Sequence, residues 1–142
     1  MNLCNIHLHK NAEHKGGEFN TYAGNGNGKG YGTGYKFDGK LSGEELLPFE
    51  IEVGANEYGY LKTGDTIEVH YVFSTANVEP GSTLEYCLDK AINNPQIRVE
   101  AQVFVLVNDP SALDFVMLTL VEQDIVTGLH QATNILKNTS KI

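Results

Sequence analysis

A chain of 142 residues is long enough for one domain that buries roughly two thirds of the surface its unfolded form exposes. Acidic residues outnumber basic ones 18 to 10, and the net charge of −8 argues against phosphate backbones and anionic lipid surfaces as partners. No apolar run of about 18 residues occurs, and the first residues lack the basic and apolar regions of a signal peptide, so neither nucleic acid nor membrane is an expected partner. The oligomeric state is left open.

From Asn2 to His9, Leu3, Asn5, His7 and His9 alternate with Cys4, Ile6 and Leu8, which predicts a strand with both histidines on one face. Lys10 to Gly17 is polar and ends in Gly16-Gly17, a turn signal, and a short extended piece is expected at Glu18 to Tyr22. Residues 24 to 34, GNGNGKGYGTG, hold seven glycines in eleven positions. They lack the GxxxxGK[ST] spacing of a phosphate-binding loop, so a flexible connector or irregular β-arch is expected there, without a catalytic role.

Pro48 argues against a helix across Glu44 to Val53, and the alternation of Phe49 to Val53 predicts a strand. Turns follow at Gly54 to Gly59 and Leu61 to Asp65. Thr66 to Thr75, TIEVHYVFST, is rich in β-branched and aromatic residues and reads as a strand with Thr66, Glu68, His70 and Val72 on one face. After Pro80-Gly81, Ser82 or Thr83 is placed to cap a short helix from about Leu84 to Ile92. Arg98 to Asn108 and Phe115 to Glu122 read as interior strands, and the tail from Asp124 as a last strand followed by a helix or a frayed end. The expected fold is mainly β: a single domain over residues 1–142, built on a largely antiparallel sheet with one or two short helices.

His-x-His on a strand sets two imidazoles about 6.5 to 7 Å apart at their bases, so that both ring nitrogens can converge on one ion. His70 is the natural third ligand, and Glu68 beside it is suited to accept the second N–H of an imidazole and fix its tautomer. Three histidines leave a fourth position for water, the pattern of a catalytic zinc site. Cys4 and Cys87 are either two free, half-buried thiols or a disulfide closing a loop of over 80 residues. The chain would be periplasmic or secreted if they are bonded and a leader has been removed, and cytoplasmic otherwise.

His7-Leu8-His9, Glu13-His14 and Glu68-Val69-His70 follow one another in an order that resembles the alpha-class carbonic anhydrases, and so predict a site like theirs. The blocks CNIHLHKNAEHKGGEF, IEVHYVFSTANVEPGSTLEYC and NNPQIRVEAQVFVLVND resemble the delta-class carbonic anhydrases and their bacterial relatives. The resemblance implies reversible hydration of CO2 to bicarbonate by a zinc-bound hydroxide. It implies Zn2+ ligation by His7, His9 and His70, with Glu68 behind them. It also implies that a threonine hydroxyl donates to Glu13, and Thr83, four residues before Cys87, matches that threonine, with Ser82 as its rival. Bonding between early and late cysteines is frequent in the family, which points to a Cys4–Cys87 disulfide. His14 is expected to be structural or, failing that, a further ligand, and no histidine matches a proton shuttle; His130 is expected to be exposed or satisfied in the core. Val72, Val103 and Val105 are candidates for an apolar wall against CO2.

Two other functions fit the same residues. His-x-His-x3-Glu followed by a distant histidine is also the ligand order of a cupin barrel, in which Glu13 would bind the metal. A non-catalytic metal-binding or carbohydrate-binding β domain is the other.

Overall fold

Two strands of nine residues, β1 (Asn2–Lys10) and β6 (Thr66–Ser74), carry the residues of chemical interest. The structure is a computed structural model and describes residues 1–29, 31–57, 59–133 and 141–142. In a three-stranded sheet β6 lies in the centre, flanked by β1 and by β7 (Ile97–Val105). All nine residues of β6 are buried, which is why its sequence reads as an almost continuous β-prone run.

Burial on both sides obliges the polar row of β6 to find partners. Thr66 Oγ1 accepts the Phe37 N–H at 2.9 Å, and Glu68 Oε2 accepts the Glu13 N–H at 3.0 Å. Ser74 Oγ donates to the Cys87 carbonyl at 2.8 Å and accepts the Ala76 N–H at 3.1 Å. On the alternate side, the Tyr71 hydroxyl donates to the Leu118 carbonyl at 3.0 Å.

By contact density the chain forms two units. The first comprises Met1–Leu8, Val69–Gln102 and the segment from Asp114. Cys4, Val72 and Cys87 pack together in it, with Val78 against them, and Cys4 is bonded to Cys87 across 83 positions of sequence with Cα atoms 5.1 Å apart. The disulfide that the family resemblance implied is therefore present. The second unit comprises His9–Glu68, Val103–Leu113 and the two C-terminal residues. A core cluster in it is formed by Ala12, Phe19, Val105 and Val107, with Tyr35, Phe37 and Leu41 packed on it.

The glycine-rich stretch is not a loose connector throughout. β2 (Thr21–Asn25) and β3 (Thr33–Lys36) enter it from both ends and pair antiparallel, Tyr22 opposite Tyr35 and Gly24 opposite Gly34. A second hairpin joins β4 (Val53–Asn56) to β5 (Gly59–Leu61). The strand expected at Phe49 to Val53 therefore starts only at its last residue. Upstream, the Leu47 and Pro48 carbonyls accept the Asn108 side-chain amide at 3.1 and 3.3 Å, and Ile51 is 74% exposed, so the alternation there has no sheet to face.

Two further expectations are corrected. The helix of Leu84 to Ile92 is a single 3-10 turn, Leu84–Cys87, because Leu84 and Leu88 stay largely exposed and supply no buried stripe to continue it. Phe115–Thr119 is also a 3-10 turn, not a strand: Asp114 Oδ1 accepts the Val116 N–H at 3.0 Å and caps it. Strand character returns only in β8 (Val121–Gln123), which pairs antiparallel with β9 (His130–Ala132). The helix expected in the tail lies outside the described residues. The fold is mainly β, its helical turns shorter than seven residues among those described.

Candidate metal centre

β1 brings His7 and His9 to the same side of one strand, two positions apart. His70 sits in the middle of the neighbouring β6 and is 6% exposed. The His7 and His70 rings meet edge to face, with centroids 5.1 Å apart and planes at 76°. Ring nitrogens of His7, His9 and His70 all lie within 4.8 Å of one another. Ligands of a tetrahedral ion with metal–nitrogen bonds of about 2.0 to 2.1 Å stand about 3.3 to 3.4 Å apart, so the set would have to draw in to hold one.

A second group shares His70. The carboxylates of Glu13 and Glu68 and a ring nitrogen of His70 also lie within 4.8 Å of one another. Glu13 is exposed and Glu68 is 4% exposed, and the 3.0 Å bond from the Glu13 N–H to Glu68 Oε2 fixes the backbone of the one to the side chain of the other. The cupin ligand set is not gathered: among the described residues Glu13 groups with Glu68 and His70, while His7 and His9 group with His70 alone.

Thr83 occupies the position before the 3-10 turn in extended backbone, and its hydroxyl does not cap that turn; Ser82 beside it is exposed. The chain leading to both is fastened to β1, since the Gly81 N–H donates to the Cys4 carbonyl at 3.0 Å. His14 is exposed, 3.9 Å from the Glu13 carboxylate. His130 is satisfied in the core: its N–H donates to Asn2 Oδ1 at 2.6 Å, and Nε2 lies 3.5 Å from Glu79. Val72 and Val105 are 1% and 0% exposed inside packed clusters, so of the three valines expected to face CO2 only Val103 is partly exposed. Asn5, outside the expected site residues, also touches the group: its Oδ1 lies 2.6 Å from His7 Nδ1. Its signal in the sequence was its place two residues before a histidine on the same face.

A family model for delta carbonic anhydrase matches residues 1–142, the whole chain. The chain belongs to the delta carbonic anhydrase family. No curated protein and no solved structure matches it. Membership makes the chain a carbonic anhydrase with CO2 and bicarbonate as its substrate pair. Carbonic anhydrases are metalloenzymes, and in this delta carbonic anhydrase His7, His9 and His70 are residues that could hold the ion.

Proposed function

We propose that His7, His9 and His70 hold Zn2+ and that residues 1–142 act as one catalytic domain hydrating CO2 to bicarbonate. The observation that carries this reading is the convergence of three imidazole nitrogens within 4.8 Å in a chain whose full length matches the family. Three neutral nitrogen donors with no thiolate suit a catalytic zinc site, which keeps a fourth position for substrate or water. When bound, the ion supplies Lewis acidity and brings the pKa of a coordinated water to about 7, a value belonging to carbonic anhydrases as a class.

The residues around the proposed ligands have separate tasks in this scheme. Glu68, buried and within 4.8 Å of the His70 ring nitrogen, supplies an acceptor that orients imidazole. By the family resemblance, Thr83, with Ser82 as the alternative, would be the hydroxyl that orients the reacting water, and Glu13 the carboxylate that serves it. Glu13 is suited to this because its own backbone is held by Glu68. Val103 offers apolar surface on which CO2 can rest.

The test is metal analysis coupled to stopped-flow CO2 hydration. His70→Ala is expected to lose tight zinc binding and hydration together, and full hydration by that variant would sink the assignment. Glu13→Gln separates roles: retained zinc with lost hydration supports Glu13 as the acceptor that orients the hydroxyl, whereas lost zinc would make Glu13 a ligand, as in a cupin.

A further inference from the structure

Asn5 is 1% exposed on β1, and both ends of its carboxamide are committed. Nδ2–H donates to the Gly81 carbonyl at 2.9 Å, and Oδ1 lies 2.6 Å from His7 Nδ1. A carbonyl only accepts, so the edge of the amide that faces Gly81 must be the NH2 and the edge that faces His7 must be the oxygen. That oxygen in turn requires the proton of a neutral His7 to sit on Nδ1. The lone pair is left on Nε2.

The Gly81 carbonyl is itself a fixed reference. The Gly81 N–H donates to the Cys4 carbonyl at 3.0 Å, and the Cys4–Cys87 bond closes the segment onto β1 six residues further on. A side chain at position 81 would put its Cβ 2.2 Å from the Tyr86 ring, so only glycine allows this approach. Asn5 is thereby held at a backbone fastened to β1, and it passes that constraint to the imidazole two residues along.

We propose that Asn5 is a positioning residue: its carboxamide holds His7 as the Nδ1–H tautomer, presenting Nε2 for a cation, and ties that ligand to the Gly81 segment. The proposal rests on the zinc reading above for its consequence, though not for its geometry. Without the lock, a neutral His7 distributes its proton between two nitrogens and must be ordered as the ion binds, which weakens affinity.

The experiment has two arms. In the first, the full-length disulfide-bonded protein is stripped of metal and its histidine ring nitrogens are followed by 15N–1H NMR at a pH where imidazole is neutral. The Nδ1–H form of His7 is expected in the unsubstituted protein, and the Nε2–H form there would overturn the proposal. In the second, zinc affinity is measured by chelator competition for Asn5→Leu, which conserves volume, and for Asn5→Asp, which keeps an oxygen toward His7. Asn5→Leu should bind zinc about 10- to 100-fold more weakly, and Asn5→Asp, which keeps the acceptor toward His7 but loses the donor to the Gly81 carbonyl, should recover only part of the loss. A folded Asn5→Leu protein with unchanged zinc affinity would overturn the proposal. Failure of the unsubstituted protein to bind zinc would sink the metal assignment instead, and the tautomer measurement in metal-free protein separates the two.

Discussion

Protonation of Glu45 isolates one residue's share of stability. Lys141 Nζ lies 2.8 Å from its carboxylate, and the Ser42 N–H donates to it at 2.9 Å. The Lys141 bond first, and the Ser42 bond second, hold the Glu45 carboxyl below its ordinary range. The folded chain therefore releases this proton more readily than the unfolded chain does, and the contribution is complete above the unfolded pKa. It is lost as pH falls through the folded value. Melting temperatures of Glu45→Gln and the parent protein should differ most near neutrality and converge as the pH is lowered past the ordinary carboxylate range. A gap that did not change with pH would show that packing, not charge, is what the substitution removes. Tyr71 runs the other way: burial pushes its hydroxyl up, so it remains the protonated donor that Leu118 requires. At this scale the gathering of His7 and His9 with His70, and of Glu68 with His70, was legible because residue type and period-two spacing place them on facing positions. Asn5 was legible only as a polar neighbour of His7 on the same face, because its role depends also on Gly81, 76 positions away.

Individual elements were legible as strands from a β-prone or alternating pattern, although β7, expected to be interior, is an edge strand of its sheet and exposed over Ile97–Val99. β6 and β7 are β-prone runs at strand length, and β1 alternates, and all three form one sheet. Legibility failed where a local hydrogen bond outranked propensity, as with Asp114 capping a turn inside a β-prone run. It also failed in the glycine-rich stretch, where composition suggested slack but partners supply order. Gly34 has φ +89°, and a Cβ there would stand 2.3 Å from the Ala12 carbonyl oxygen, the same oxygen that accepts the Tyr35 N–H at 2.9 Å. Only glycine lets β3 lie against Ala12. Gly34→Ala should therefore destabilise the protein by about 2 kcal/mol or more, from left-handed strain together with the clash. Gly43→Ala, where an added Cβ meets nothing within 4 Å, is the matched control and should be near neutral. Urea denaturation measures both. Because Ala12 directly precedes Glu13, Gly34→Ala should also lower CO2 hydration in the protein that remains folded, whereas the control should not.

For the molecule as a whole, the longest-range covalent constraint and the proposed metal site share one strand. The Cys4–Cys87 bond spans 83 positions, and on the chain-entropy model a loop of that size is worth about 4 to 5 kcal/mol. That is a large fraction of the stability expected of a small protein. The bond is also local to the site, since Cys4 lies three residues before His7 and its carbonyl accepts the Gly81 N–H. Cys4 and Cys87 are both buried, so reduction should be slow in the folded state and should follow opening of the first unit. Replacing both cysteines by alanine is expected to lower the melting temperature on the order of 10 °C or more. If the bond acts only on the unfolded ensemble, zinc affinity of the folded variant stays at the parent value. If it also braces β1, chelator competition reports weaker zinc binding at temperatures where the variant is fully folded. The second outcome is expected, because the bond to Cys4 and the hydrogen bonds of Asn5 hold one short segment of backbone against the strand that presents His7 and His9.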